Sequence, residues 1–191
     1  TRTLNGQPVA TINADLSSRV DVNAARPLPE NAGLSFIGTQ KGGAFDIPGD
    51  LARQWLTLPN PDGVSNADVV GPWVNGMDLT RRPSGRWIID FAQMQEEEAT
   101  RYVAPFEYVV EKVKPEREGL SRAGHARYWW RHQEARPGMR RAIAGLPKFI
   151  VTPRVSKHRL WMFMPAGTVP DSRVVVIARE DDLSFGVVSS R

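Results

Sequence analysis

Apolar residues fall into short runs separated by Gly, Pro, Asn and Asp, and the runs change period along the chain. "LSFIGT" (34–39), "DVVGPWVNG" (68–76) and "RWIIDF" (86–91) read as strands, the last two flanking "MDLTRRPSG". "PGDLARQWLTL" (48–58) reads as a short helix with Asp50 as its N-cap and Leu51, Trp55 and Leu58 on one face. "QMQEEEATRY" (93–102) starts a helix with acids in its first turn, where the helix dipole favours them. "PFEYVVEKV" (105–113) carries an apolar stripe of Phe106, Val109, Val110 and Val113, and Pro115 is expected to end that helix. "GMRRAIAGL" (138–146) is a short helix stopped by Gly145 and Pro147. Four strand-like runs come next, at 148–153, 159–164, 173–179 and 183–188. The first 30 residues are polar without a sustained period; they hold a strand or two, and "AARPLPEN" is a linker. The pattern divides the chain into an N-terminal segment (1–32) and one domain (33–191) of the α+β class, with a mixed, partly antiparallel sheet and helices on one side.

In "IVTPRVSKHRLWMFMP" (150–165), the link between two apolar runs holds Arg154, Ser156, Lys157, His158 and Arg159. The charge of the whole chain, +4, does not explain this, but its distribution does. Between Lys112 and Arg159 there are 13 Lys and Arg against three acids, a net of +10, and the remainder is net negative. A basic stretch of this kind points to a polyanion partner, against the plainer reading that the arginines solvate helix faces. There is no cysteine, which excludes disulfides and thiolate chemistry and fits a cytoplasmic protein. No apolar run approaches the 20 or so residues of a membrane span.

Catalytic patterns are missing. "GTQKGG" (38–43) lacks the Gly-Lys-Ser/Thr ending of a phosphate loop and reads as a turn. His125, His132 and His158 have no metal-ligand spacing, and no Gly-x-Ser-x-Gly elbow or dinucleotide fingerprint occurs. Asp90 closes an apolar run without the Glu-x-Lys of a metal nuclease. It is expected to serve the fold, its carboxylate accepting backbone or arginine hydrogen bonds. Nucleic-acid binding survives this test. Arg122, Arg127, Arg131, Arg136, Arg140 and Arg141 interleave with Tyr128, Trp129 and Trp130. Arginine neutralises phosphates and reads guanine, and aromatics stack on unpaired bases. Three adjacent aromatics cannot all face one side, so at least one tryptophan belongs to the core.

The ordered set "SFIGTQKGGAFDI", "GPWVNGMDL", "RWIIDFAQMQEEEATRYVAPFEYVVEKVKPER", "WW", "TPRVSKHRLWMF" and "FGVVSSR" resembles the target-recognition region of large MmeI-like, type IIL DNA methyltransferases, over residues 33–191. The resemblance implies a fold similar to TaqI-like recognition domains. It also implies that the chain is a fragment of a restriction–modification protein. An upstream domain of that protein would bind S-adenosylmethionine and methylate adenine at N6 through an Asn-Pro-Pro-Tyr-type motif, which is absent here. The fragment itself is then expected to hold no cofactor and to be non-catalytic, with double-stranded DNA and the upstream methyltransferase domain as its partners. Because the link at 154–159 is a shared element, Arg154, Ser156, Lys157 and Arg159 are assigned to DNA phosphates, with Arg140 and Arg141. Base readout is assigned to Arg122, His125 and Arg127, and the loop "AGTVPDS" (166–172) is a further candidate. Two other readings stay open: a basic protein-interaction module, and a single-stranded nucleic-acid binder using exposed tryptophans.

Overall fold

The computed structural model describes residues 2–14, 16–18, 26, 28–118 and 126–190. The chain divides into two compact units, 1–32 and 33–191. In the first, strands β1 (Arg2–Leu4) and β2 (Gln7–Val9) form an antiparallel hairpin. Its two-residue turn is Asn5-Gly6, with φ of 51° and 78°. Asn-Gly is the pair that a tight hairpin requires, because both central residues adopt left-handed backbone.

The second unit is α+β and holds two four-stranded sheets. Its elements run β3 (Ser35–Ile37), β4 (Asp46–Ile47), α1 (Gly49–Leu56), β5 (Val70–Val74), α2 (Gly76–Thr80) and β6 (Trp87–Ile89). Then come α3 (Glu96–Ala99), α4 (Val103–Lys112), α5 (Lys114–Glu118), α6 (Pro137–Ile143), β7 (Lys148–Pro153), β8 (Met162–Pro165), β9 (Val169–Pro170), β10 (Val174–Ile177) and α7 (Asp182–Ser189). One sheet has the order β3-β10-β7-β8 and is antiparallel throughout. The other has the order β4-β6-β5-β9, with only β5 and β9 parallel.

Two apolar cores support these sheets. Around β4, β5 and β6 pack Phe45, Trp55, Trp73, Phe91, Val109, Val113, Trp129 and Trp130. Trp129 and Trp130 are only 6% and 4% exposed, so both belong to the interior. Leu79, Met139, Phe149, Val151, Val174 and Val176 form the second core, between β7 and β10 and the helices α2 and α6. Strand β7 is central, and Phe149, Ile150 and Val151 are all buried; each contributes on the order of 1.5–3 kcal/mol by leaving water.

Four expectations need correction. The run 183–188 is not a strand but lies in α7, where the Asp181 carboxylate accepts the Ser184 N–H at 2.7 Å as a helix cap. Alternating apolar residues suit either period there, and the cap decides. Pro115 does not end the helical region; it sits in the first turn of α5, where a missing N–H costs nothing. Asp50 is not the N-cap of α1, which is Pro48; it lies in the first turn and pairs with Arg53. Helix α3 is a single turn, shorter than the run 93–102 suggested.

Candidate nucleic-acid interface

Strand β7 pairs with β8 from Lys148↔Pro165 to Val151↔Met162, and its last residues, Thr152 and Pro153, pair only with β10. The chain therefore leaves the sheet as a long connection, anchored where the Arg154 N–H donates to Arg173 O at 2.8 Å. Residues 154–160 are exposed, and Val155 at 88% is nearly free of contact. Arg154, Lys157 and Arg159 have no carboxylate within 4.0 Å among the described residues. The exposed Ser156 donates its hydroxyl to the His158 carbonyl within the loop, which occupies its proton.

Two open grooves meet this loop. One, of about 510 Å³, is lined by Lys157, His158, Arg159 and Trp161 together with Ser189 and Ser190 at the end of α7. The other, of about 530 Å³, brings Arg154 to Thr80 and Arg81 at the end of α2 and to Arg173. Arg173 bonds Asp171 at 2.8 Å, yet its side chain remains 66% exposed. Sequence reasoning missed Arg81 and Arg173. A signal for α2 was present in Asn75 and Asp78, which form a capping box: Asn75 Oδ1 accepts the Met77 and Asp78 N–H groups, and Asp78 accepts from Asn75 N–H. That helix is what carries Arg81 to the groove.

Arg140 is placed differently from its neighbour. Its guanidinium donates to the Asp90 carboxylate and, through Nε, to Ala135 O at 2.6 Å, so it serves the interior. Arg141 is exposed and without an ion pair among the described residues. Asp90, at the end of β6 and 7% exposed, also accepts the Ala92 N–H at 2.9 Å. Burial works to raise the Asp90 carboxyl, but His132, Arg140 and the Ala92 amide outweigh it and hold the group below its ordinary value. His132 Nε2 lies 2.8 Å from Ile89 O and must carry the ring proton, since a carbonyl only accepts. Burial pushes His132 below its ordinary value, and the Asp90 carboxylate opposes this only in part.

The residues assigned to base readout are divided. Arg127 is exposed, its guanidinium 5.4 Å from the Tyr128 ring centre, whereas Arg122 and His125 lie outside the described residues. The segment 166–172, expected as a loop, is exposed at Ala166 and Gly167, forms β9 beside β5 at Val169–Pro170 and is buried at Thr168 and Asp171. No group of three metal-ligating side chains occurs among the described residues, and no described helix is long and apolar enough to cross a membrane.

No family model matches this sequence, and no curated protein does. A solved structure does. The fold is similar to part of the type IIL restriction–modification enzyme MmeI, determined in complex with DNA, at a TM-score of 0.65 and 18% identity. The match covers 95% of this chain and 24% of that one, so the chain spans about a quarter of the length of MmeI. At that identity the likeness is one of fold.

Proposed function

We propose that residues 33–191 form a target-recognition module for duplex DNA, working beside an adenine-N6 methyltransferase domain of a cytoplasmic restriction–modification protein. The upstream domain would supply S-adenosylmethionine and the catalytic motif; this module would supply position and sequence choice. The observation that carries the reading is the exposed loop 154–160, whose three permanent cations have no counter-ion among the described residues, on a fold shared with part of an enzyme determined with DNA. Unpaired, exposed cations suit phosphodiesters, because each one neutralised releases a condensed counter-ion. Arg154, Lys157 and Arg159 take that role, Arg81, Arg173 and Arg141 extend it, and Arg127 reads bases with Arg122 and His125.

A stacking platform for single strands would need exposed tryptophans, and burial of Trp129 and Trp130 disfavours it. The test is a salt titration on duplex, single-stranded DNA and an acidic polypeptide. Tighter duplex binding with a log–log slope of roughly −5 to −6 supports the module. A flat slope, or preference for the polypeptide, overturns it. Calorimetry with S-adenosylmethionine should show no binding to the module itself.

A further inference from the structure

A cleft of about 610 Å³, separate from the two grooves beside the basic loop, is lined by Phe36, Ala92, Arg117, Tyr128, Arg131 and Arg136 among others. Its charge is unbalanced. Arg117 is 1% exposed, yet no carboxylate lies within 4.0 Å of it among the described residues. It donates through Nη2 to Lys41 O at 2.9 Å and lies over the Phe45 ring, while its Nε has no acceptor. Arg131 donates through Nε to Met94 O at 2.9 Å and stacks on Tyr128 at 4.4 Å, and its Nη2 is likewise buried without an acceptor. Arg136 adds a third guanidinium, 3.6 Å from Glu134, the cleft's one carboxylate among the described residues. Three cations against one acid leave a net of two positive charges. Burial lowers the affinity of Arg117 for its proton, and only the field of Glu116 opposes this. The neighbouring residues 119–125, "GLSRAGH", contain no acid that could supply the balance. Two lining residues, Ala92 and Arg136, hold left-handed backbone with φ of 48° and 53°, which L side chains rarely adopt and which concentrates at functional sites.

Buried donors without acceptors are rare in folded proteins, and buried cations without counter-ions rarer still. We infer that this cleft is a binding site for a phosphate group, with room for the nucleotide that carries it. Guanidinium matches phosphate in geometry, and the one charge of a phosphodiester or the roughly 1.5–2 of a phosphomonoester offsets the local excess of positive charge. The volume falls within the range of small-molecule sites. The phosphate could come from a free nucleotide or from a DNA strand; the chemistry recognised is the same.

The test compares thermal unfolding of the whole 191-residue chain in sodium phosphate and in sodium chloride at equal ionic strength, then calorimetry with dAMP and with deoxyadenosine. Phosphate should raise the melting temperature above chloride, dAMP should bind and deoxyadenosine should not. Arg117→Met and Arg131→Gln should each abolish the phosphate shift; if the first fails to fold, the half-buried second decides. Equal melting in both salts, or a shift that survives Arg131→Gln, overturns the inference. A duplex then identifies the source. If Arg131→Gln lowers the salt slope of duplex binding by roughly one, the phosphate belongs to DNA. If dAMP binding is lost and the duplex is unaffected, it belongs to a free nucleotide. Absence of all duplex binding would remove the DNA reading of the loop at 154–160 while leaving the phosphate result standing.

Discussion

Replacing Asp90 by Asn removes one charge and almost no volume, and its cost can be worked from two hydrogen bonds. The Asp90 carboxylate faces two donors, the Ala92 N–H on one oxygen and the Arg140 guanidinium on the other. An amide offers one acceptor and one donor group. Whichever way the introduced amide turns, its NH2 meets another donor in a site that is 7% exposed. Loss of a charge-assisted bond costs about 1.5–3 kcal/mol. Breaking a fully buried pair would cost about 3–5 kcal/mol, but the Arg140 side chain is 29% exposed and water recovers part of the loss. About 2 kcal/mol is therefore expected, which in a unit of this size lowers the melting temperature by roughly 4–8 °C. A double-mutant cycle with Arg140→Gln should show a coupling of about 1–2 kcal/mol, since the two side chains are in direct contact. Arg140→Gln should also leave the salt slope of DNA binding unchanged. An unaltered melting temperature for Asp90→Asn, or a coupling below about 0.5 kcal/mol, would refute the assignment of this pair to the fold.

Lys157→Ala should weaken binding to cognate and mismatched duplexes alike and reduce the salt slope by roughly one, because a phosphate contact carries no sequence information; lost discrimination at one base pair with an unchanged slope would reassign Lys157 to base readout. Gly38→Ala should destabilise by about 3 kcal/mol or more in urea denaturation, since an added Cβ would lie 2.6 Å from Pro170 O and closer still to Asp171 O, both backbone atoms; a midpoint within error of wild type would rule out the close approach. Stability should fall on acidification in two stages. His132 has a depressed folded value, so its contribution is complete above its unfolded value of about 6.5 and is lost as pH falls below it. Asp90 is also depressed, and its contribution is lost only below about 3.9. His132→Gln should flatten the first stage in melting curves between about pH 7 and 5 and, because His132 also helps to hold the Asp90 carboxyl down, weaken the second without abolishing it.

Which elements were legible in the sequence depends on the range of the interactions that decide them. Strands β5, β6 and β7 and helices α1, α4 and α6 were legible because each carries its own period and punctuation within a dozen residues. The interior role of Asp90 was legible as well, since an acid closing "WIID" must be satisfied when buried. Its partner was not, because Arg140 is 50 residues away and belongs to a run of arginines that look alike in sequence. Helix α7 was missed for a different reason: "DLSFGVV" alternates like a strand, and the capping Asp181 that decides the matter lies just outside the alternation.

The DNA surface divides along the same line. Summing formal charge between Lys112 and Arg159 gives +10 and treats every arginine as available. The fold divides that run: Arg117 is interior, Arg136 lies beside Glu134, and Arg140 is held by Asp90, while Arg141, Arg154, Lys157 and Arg159 stay unpaired among the described residues. It also recruits Arg81 and Arg173 from outside the run. Counter-ion release depends on the cations that reach phosphates, not on the formal total, so the two descriptions predict different slopes. Ten available charges would give a log–log slope near roughly −9, whereas about six give roughly −5 to −6. A measured slope near the steeper value would mean that Arg117, Arg136 and Arg140 leave their partners on binding, and Arg140→Gln would then lower the slope instead of only the melting temperature.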